Sequence, residues 1–157
     1  MKSPPQKSHP NSSKPKRILG IDFGDKHIGL AISDPLGLTA QYLGKYTRGS
    51  TQEDLSYFQS LFVRFKIKEV VIGFPLSMNG QFNPRTEKTK EFARWLEKTF
   101  AKPVVLWDER LTTKQAQAIL HEQKVDSRQR KKYEDGLAAT LILANYLESK
   151  RRHEKDS

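Results

Sequence analysis

Residues 18–34 read ILGIDFGDKHIGLAISD, and how this stretch folds decides the architecture. Its first half is a run of apolar residues and glycines suited to the centre of a sheet, yet Asp22 sits inside it. An ionised carboxylate in an apolar interior is costly unless it is paired, hydrogen-bonded or bound to a cation. Alternate residues of a strand share a face. Asp22 therefore shares its face with Gly20 and Gly24, while Leu19, Ile21 and Phe23 point the other way. On the following strand Gly29, Ala31 and Ser33 alternate with Ile28, Leu30 and Ile32. One face around the carboxylate is thus lined by small residues, so either a helix packs closely there or the space is kept for something bound.

Outward from this hairpin, Arg17 to Gly24 and His27 to Asp34 form two strands joined by Asp25 and Lys26, and Leu38 to Arg48 supplies a third after the Pro35-Leu36-Gly37 turn. Ser50 and Glu53 have capping-box spacing ahead of Leu55, Phe58, Phe62 and Phe65 at helical intervals. Glu69 to Phe74 is a continuous apolar strand, and Asn83-Pro84 caps a helix to about Phe100 that buries Phe92, Trp95, Leu96 and Phe100. Pro103 to Asp108 reads as a further buried strand. Thr112 and Gln115 open another helix, the basic loop 124–132 follows, and a last helix runs from about Glu134 to Ser149. An antiparallel three-stranded meander followed by right-handed crossovers gives an α/β fold with a mixed five-stranded sheet, two of its strands parallel additions, and helices on both faces.

The 157 residues suit one domain. The expected organisation is a disordered basic arm over 1–16, rich in Pro, Ser and Lys, a folded domain over 17–149, and a charged tail over 150–157. There is no cysteine, and the four histidines are scattered, which disfavours disulfide, thiolate and zinc chemistry. No apolar run approaches the roughly 20 residues of a membrane helix, and a cytoplasmic location is the expectation. The net charge of +10 is uneven: residues 1–17 carry five cations and no acid, and residues 18–147 carry only +4. Charge alone is weak evidence for nucleic acid, but KVDSRQRKK (124–132) concentrates five cations against one acid.

Two further acidic features join Asp22. Asp108-Glu109-Arg110 ends the VVLW strand, at the strand ends where ligands bind in sheets with crossover helices. Its two acids point to opposite faces if the strand persists, and Glu109 is favoured over Asp108. Asp135 falls in the first turn of the expected last helix, with Ala138 and Ala139 letting that turn approach the sheet. Singly, each acid has a plainer reading: a hydrogen-bonded structural acid for Asp22, a surface ion pair for Glu109, a helix-start acid worth a few tenths to about 1 kcal/mol for Asp135. Together, three converging carboxylates need a cation and suit Mg²⁺ or Mn²⁺. Two such ions about 3.5–4 Å apart can activate water and stabilise a leaving oxygen in phosphodiester cleavage. Gly20 and Gly24 would then keep Asp22 clear.

GIDFGDKHIGLAISD, VVIGFPLSMNG, VVLWDERLTT and DGLAATLILANYLE together resemble the YqgF-type family of pre-16S rRNA nucleases, also called Holliday-junction-resolvase-like. The resemblance spans residues 17 to about 149. It implies a ribonuclease H-like fold and a cytoplasmic, metal-dependent nuclease acting in 5′-end maturation of 16S rRNA, with Asp22, Glu109 and Asp135 as catalytic metal ligands. Arg85 and Arg110 are candidate phosphate clamps, since a guanidinium presents paired donors. Lys131 and Lys132 would hold the nucleic-acid backbone, and Gly73 and Gly80 would permit tight backbone near the site. Thr112 reads as a helix cap. His27 stands where the family usually has Arg, and Asn83 where it commonly has Gly; His is cationic only part of the time near neutral pH. The pre-ribosome or branched DNA are the implied partners.

Three other readings compete. GIDFGDKHIGLAI also resembles the phosphate-binding hairpin of actin-like ATPases and sugar kinases, but those proteins need two such domains, and no second glycine-rich phosphate loop is evident. A Holliday-junction resolvase would need a symmetric dimer. A non-catalytic RNA-binding assembly module would have no need of three carboxylates facing an anionic substrate.

Overall fold

The computed structural model describes residues 14–74, 83–108 and 127–156. Eight elements follow in order: β1 (Arg17–Asp22), β2 (His27–Ser33), β3 (Ala40–Thr47), α1 (Thr51–Phe65), β4 (Ile67–Phe74), α2 (Pro84–Phe100), β5 (Val104–Asp108) and α3 (Ser127–Asp156). The five strands form one sheet in the order β3-β2-β1-β4-β5. The β1–β2 and β2–β3 pairs are antiparallel, and β4 joins β1 and β5 in parallel. This is the mixed sheet expected from the sequence, with β1 at its centre.

Strand alternation divides the core in two. Leu19, Ile21, Ile28, Leu30, Ile32, Val70 and Ile72 face α1 and α2, where Phe58, Phe62, Phe92 and Leu96 meet them. Ile18, Ala31 and Val71 face α3 and pack on Ala139, Ile142, Leu143 and Tyr146. Each fully buried large apolar side chain contributes about 1.5–3 kcal/mol, so among the described residues the first face supplies most of the hydrophobic stabilisation. The small-residue face answers the question its sequence raised. A Cβ on Gly20 would lie 2.7 Å from Leu143 Cβ and 3.0 Å from the Ala139 carbonyl oxygen. A helix therefore packs there, and Gly20 makes room for α3 rather than for a ligand. At Gly24 a Cβ would meet the His27 carbonyl oxygen at 2.5 Å, so this glycine serves the tight connection between β1 and β2.

The helix ends follow local chemistry. In α1 the Ser50 hydroxyl accepts from Glu53 N at 3.1 Å and the Glu53 carboxylate accepts from Ser50 N at 3.2 Å, a complete capping box. In α2 the Asn83 side chain accepts from Thr86 N at 3.0 Å, with Pro84 in the first turn. Both helices close on a left-handed residue, Lys66 (φ 50°) and Ala101 (φ 54°).

Three expectations need correction. Strand β5 is half-buried, with Leu106 exposed; among the described residues it lies last in the strand order, beside β4. The last helix begins at Ser127, so most of the basic segment is helical rather than loop, and it continues past Ser149 to Asp156. Asp135 is consequently in the third turn of α3, not the first. The helix expected from Thr112 lies outside the described residues.

Helix α3 runs antiparallel to β1. Tyr146 donates from its hydroxyl to Glu69 Oε2 at 2.7 Å, and Lys150 Nζ donates to Glu69 Oε1 at 2.6 Å. Glu69 pairs with Ile18 near the start of β1, whereas Ala139 and Leu143 lie over Gly20. Earlier turns of α3 thus advance toward the C-terminal end of β1. Burial, helped by the hydrogen bond to Glu69, pushes the Tyr146 phenol well above its ordinary pKa of 10. Among the described residues no helix is long and apolar enough to cross a membrane.

Candidate active site

Asp22 is the last residue of β1 and is half-buried. It shares the α3 side of the sheet with Gly20, two residues behind it. In register it lies opposite Gly29 on β2, and Gly29 lies opposite Lys45 on β3. On the other side Ile21 pairs with Ile72, so Asp22 is level with Gly73, which pairs with Trp107. Val71, Val105 and Trp107 all belong to the α3 side, and alternation carries Gly73 with them. Across this row the strand between Asp22 and Trp107 has no side chain, leaving a gap about 9–10 Å wide at the usual strand spacing. Gly73 opens the site laterally, a role beyond the tight backbone geometry its sequence context implied.

Asp108 ends β5 and is half-buried. Trp107 packs on the α3 side and Val104 on the α1–α2 side, so alternation puts Asp108 with Val104, on the sheet face away from Asp22. Asp22 and Asp108 stand at neighbouring levels of the sheet's C-terminal edge but on opposite faces. Trp107 Nε1 is buried and has no hydrogen-bond partner among the described residues; its ring meets Tyr146 edge to face at 5.8 Å. It lies in the same row of the sheet as Asp22, two strands away, and sequence reading took the residue only as part of an apolar run.

His27 opens β2, exposed, on the same side as Asp22, with Nδ1 3.2 Å from Thr47 Oγ1. Lys45, also exposed, is a second cation-bearing position on this side that the sequence did not single out. Arg85 is exposed in the first turn of α2. Asp135, Lys131 and Lys132 are positions of α3, and their side chains lie outside the described residues. Glu109, Arg110, Thr112 and Gly80 lie outside them as well. Among the described residues no group of three His, Cys, Asp or Glu side chains is close enough to hold a metal, and the expected trio has only Asp22 within that set. The donors at hand are carboxylate oxygens beside an open row, a set that fits a hard divalent cation better than a thiolate- or imidazole-seeking one.

A β3-β2-β1-β4-β5 sheet with helices on both faces gives the chain an α/β fold of the ribonuclease H-like class. In fold it is similar to the Fowlpox virus Holliday junction resolvase, with a TM-score of 0.52 and 16% identity over 85% of this chain and 99% of that one. The same resolvase in complex with Holliday junction DNA gives 0.51 and 17%, covering 85% and 97%. The chain belongs to the RuvX family, whose model, described as Holliday junction resolvase, matches residues 16–149. Two relatives described as "Putative pre-16S rRNA nuclease" are similar to it in sequence. That of Koribacter versatilis is 46% identical over 132 residues, 84% of this chain and 86% of the relative. That of Carboxydothermus hydrogenoformans is 47% identical over 137 residues, 87% and 99%.

Proposed function

We infer that the chain is a metal-dependent nuclease that hydrolyses phosphodiester bonds, acting on pre-16S rRNA at its 5′ end during ribosome biogenesis in the cytoplasm. The observation that carries the reading is Asp22: a carboxylate at the C-terminal end of the central strand, on the α3 side, beside the side-chain-free row at Gly73. Its relatives' description as pre-16S rRNA nucleases supports the substrate.

Two periodicities support the other acids. Ala139 lies over Gly20, and Asp135 comes four residues, about 6 Å, earlier in α3. Asp22 comes two residues, about 6.6 Å, after Gly20 along an antiparallel neighbour. The helix step and the strand step therefore run in the same direction by nearly the same distance. On β5 the alternation assigns Trp107 to the α3 side and Asp108 to the other, which favours Glu109 over Asp108 as the third acid.

Asp22, Glu109 and Asp135 would hold Mg²⁺ or Mn²⁺, two ions in the full site, which when bound supply an activated water and charge neutralisation at the leaving oxygen. The carboxylates hold and orient and do not attack phosphorus. His27, Lys45 and Arg85, with Arg110, Lys131 and Lys132, would bind the phosphate backbone. The products expected are a 5′-phosphate and a 3′-hydroxyl.

Purified protein with Mg²⁺ or Mn²⁺ should cleave precursor 16S rRNA, and Asp22→Asn, near-isosteric at a half-buried position, should abolish cleavage while leaving the thermal melt intact. Cleavage surviving that substitution would sink the mechanism. The family's description favours one second reading, branched DNA as substrate. A complementation strain carrying Asp22→Asn separates the two, since it accumulates either precursor 16S rRNA or recombination intermediates.

A further inference from the structure

On the other side of the sheet, one residue beyond Asp22, a cleft of about 350 Å³ opens between the β1–β2 connection, α1 and α2. Arg48 is part of its lining. The guanidinium lies over the rings of Phe23 and Phe92, 5.2 and 5.4 Å from their centroids, and its Nε donates to Asp54 Oδ2 at 3.3 Å. Asp54 is itself only 2% exposed and also accepts from Tyr46 Oη at 2.7 Å and Gly49 N at 3.0 Å. Arg48 is thus held by two rings and one buried carboxylate, while its side chain remains 31% exposed and lines the cleft. A guanidinium plane fixed in this way is a stacking surface for a nucleobase.

The charges around it select the occupant. The cations Arg48 and Lys88 are matched by Asp54 and by Asp25, whose carboxylate is 3.4 Å from Lys88 Nζ. Exposed Glu91 adds a third carboxylate to the lining. The cleft is therefore slightly negative and does not suit a phosphate. It suits a planar group that stacks on Arg48 and offers N–H donors to Glu91. Guanine is the base with two adjacent donors, N1–H and the N2 amino group, that match both oxygens of a carboxylate. The volume lies at the small end of ligand pockets, adequate for one base.

We propose that this cleft is a subsite for a single unstacked guanine of the nucleic acid cut at Asp22, read by stacking on Arg48 and pairing with Glu91. The proposal rests on the nuclease reading and adds a base preference to it. Phe23 follows Asp22 directly, with the two side chains on opposite faces, so a strand held at Asp22 reaches the cleft by turning over the end of β1.

The test uses the full chain and three fluorescein-labelled octauridylates that carry guanine, hypoxanthine or uracil at one central position, with anisotropy measured in EDTA so that nothing is cut. A charge-assisted hydrogen bond of the usual net worth corresponds to about tenfold in affinity. Guanine should therefore bind about tenfold more tightly than hypoxanthine, which lacks the amino group, and more tightly still than uracil. Glu91→Ala, at an exposed helix position, should bring the three within about twofold of one another, with Glu91→Gln intermediate and both melting like the wild type. Equal affinities in the wild type, or discrimination that persists in Glu91→Ala, would overturn the subsite. Discrimination in EDTA together with no cleavage in Mn²⁺ would support the subsite and count against the nuclease reading alone.

Discussion

Gly20→Ala is the sharpest test of how α3 is seated on the sheet. The added methyl would stand 2.7 Å from Leu143 Cβ and 3.0 Å from the Ala139 carbonyl oxygen. Carbon atoms prefer about 3.5–4.0 Å, so the overlap is about 1 Å. Neither obstacle can rotate away, because a Cβ and a backbone carbonyl move only with the helix. Leu143 and Ala139 are fully buried, and overpacking at such a site typically costs about 1–3 kcal/mol. For a chain of this length that is a fall in Tm of roughly 2–10 °C. Urea unfolding followed by far-UV circular dichroism measures the loss, with an unchanged m-value as the check that the denatured state is unaltered. Gly136→Ala is the contrast. A Cβ there falls within the Tyr42 ring, but Tyr42 is 49% exposed and its ring can swing outward, while alanine gains about 1 kcal/mol of helix propensity over glycine. The expected change is within about 1 kcal/mol of zero. Equal stability of Gly20→Ala and the wild type would refute the close seating of α3.

Asp54→Ala removes the shared acceptor of Tyr46, Arg48 and Gly49 from a buried position and should cost about 3–5 kcal/mol, read from the urea midpoint. Burial and the hydrogen bond to Asp54 push the Tyr46 phenol up to about 12, and Tyr146 is raised as well. Their neutral forms are favoured by the fold, so this stabilisation is complete below pH 10, the unfolded value, and is lost as pH rises through the folded values. Burial raises Tyr57 too, so tyrosinate absorbance should show three of the five tyrosines titrating late, and Tyr46→Phe should remove one of the late steps. If Lys131 and Lys132 each contact a phosphate of single-stranded RNA, replacing both with Ala should flatten the plot of log K against log salt by about 1.4; an unchanged slope would remove them from the interface.

The sheet was legible because β1 and β2 alternate large and small residues so strictly that faces, pairing and the position of Asp22 follow from the sequence. The capping boxes at Ser50 and Asn83 were equally readable, since a cap is a local pattern. What was missed depends on how separate elements fold against one another rather than on a local pattern. Asp54 reads as an ordinary first-turn acid, and only the folding of β3 beside α1 brings Tyr46 and Arg48 to it. The first turns of α3 escaped because SRQRKK has no apolar periodicity, although Arg, Gln and Lys are good helix formers. The small residues around Asp22 left a packed helix and a bound ligand both open, and the contact of Gly20 with Leu143 and Ala139 decides for the helix at that position. The preference for Glu109 over Asp108 rested on strand alternation, and β5 keeps that alternation through Asp108.

The clamp of Glu69 by Tyr146 and Lys150 has a consequence at the far end of the same helix. Position 135 lies 11 residues before Tyr146, about 16 Å along a rigid rod, with the close contact at Gly20 between them acting as a fulcrum. Position 135 is four to eight residues, about 6–12 Å, from that fulcrum, so a tilt of about 5° would move it by about 0.5–1 Å, a scale at which misplacement can cost on the order of a hundredfold in rate where reacting groups must be aligned. An acid at the start of β4, at the opposite end of the sheet from Asp22, would in this way set where position 135 sits.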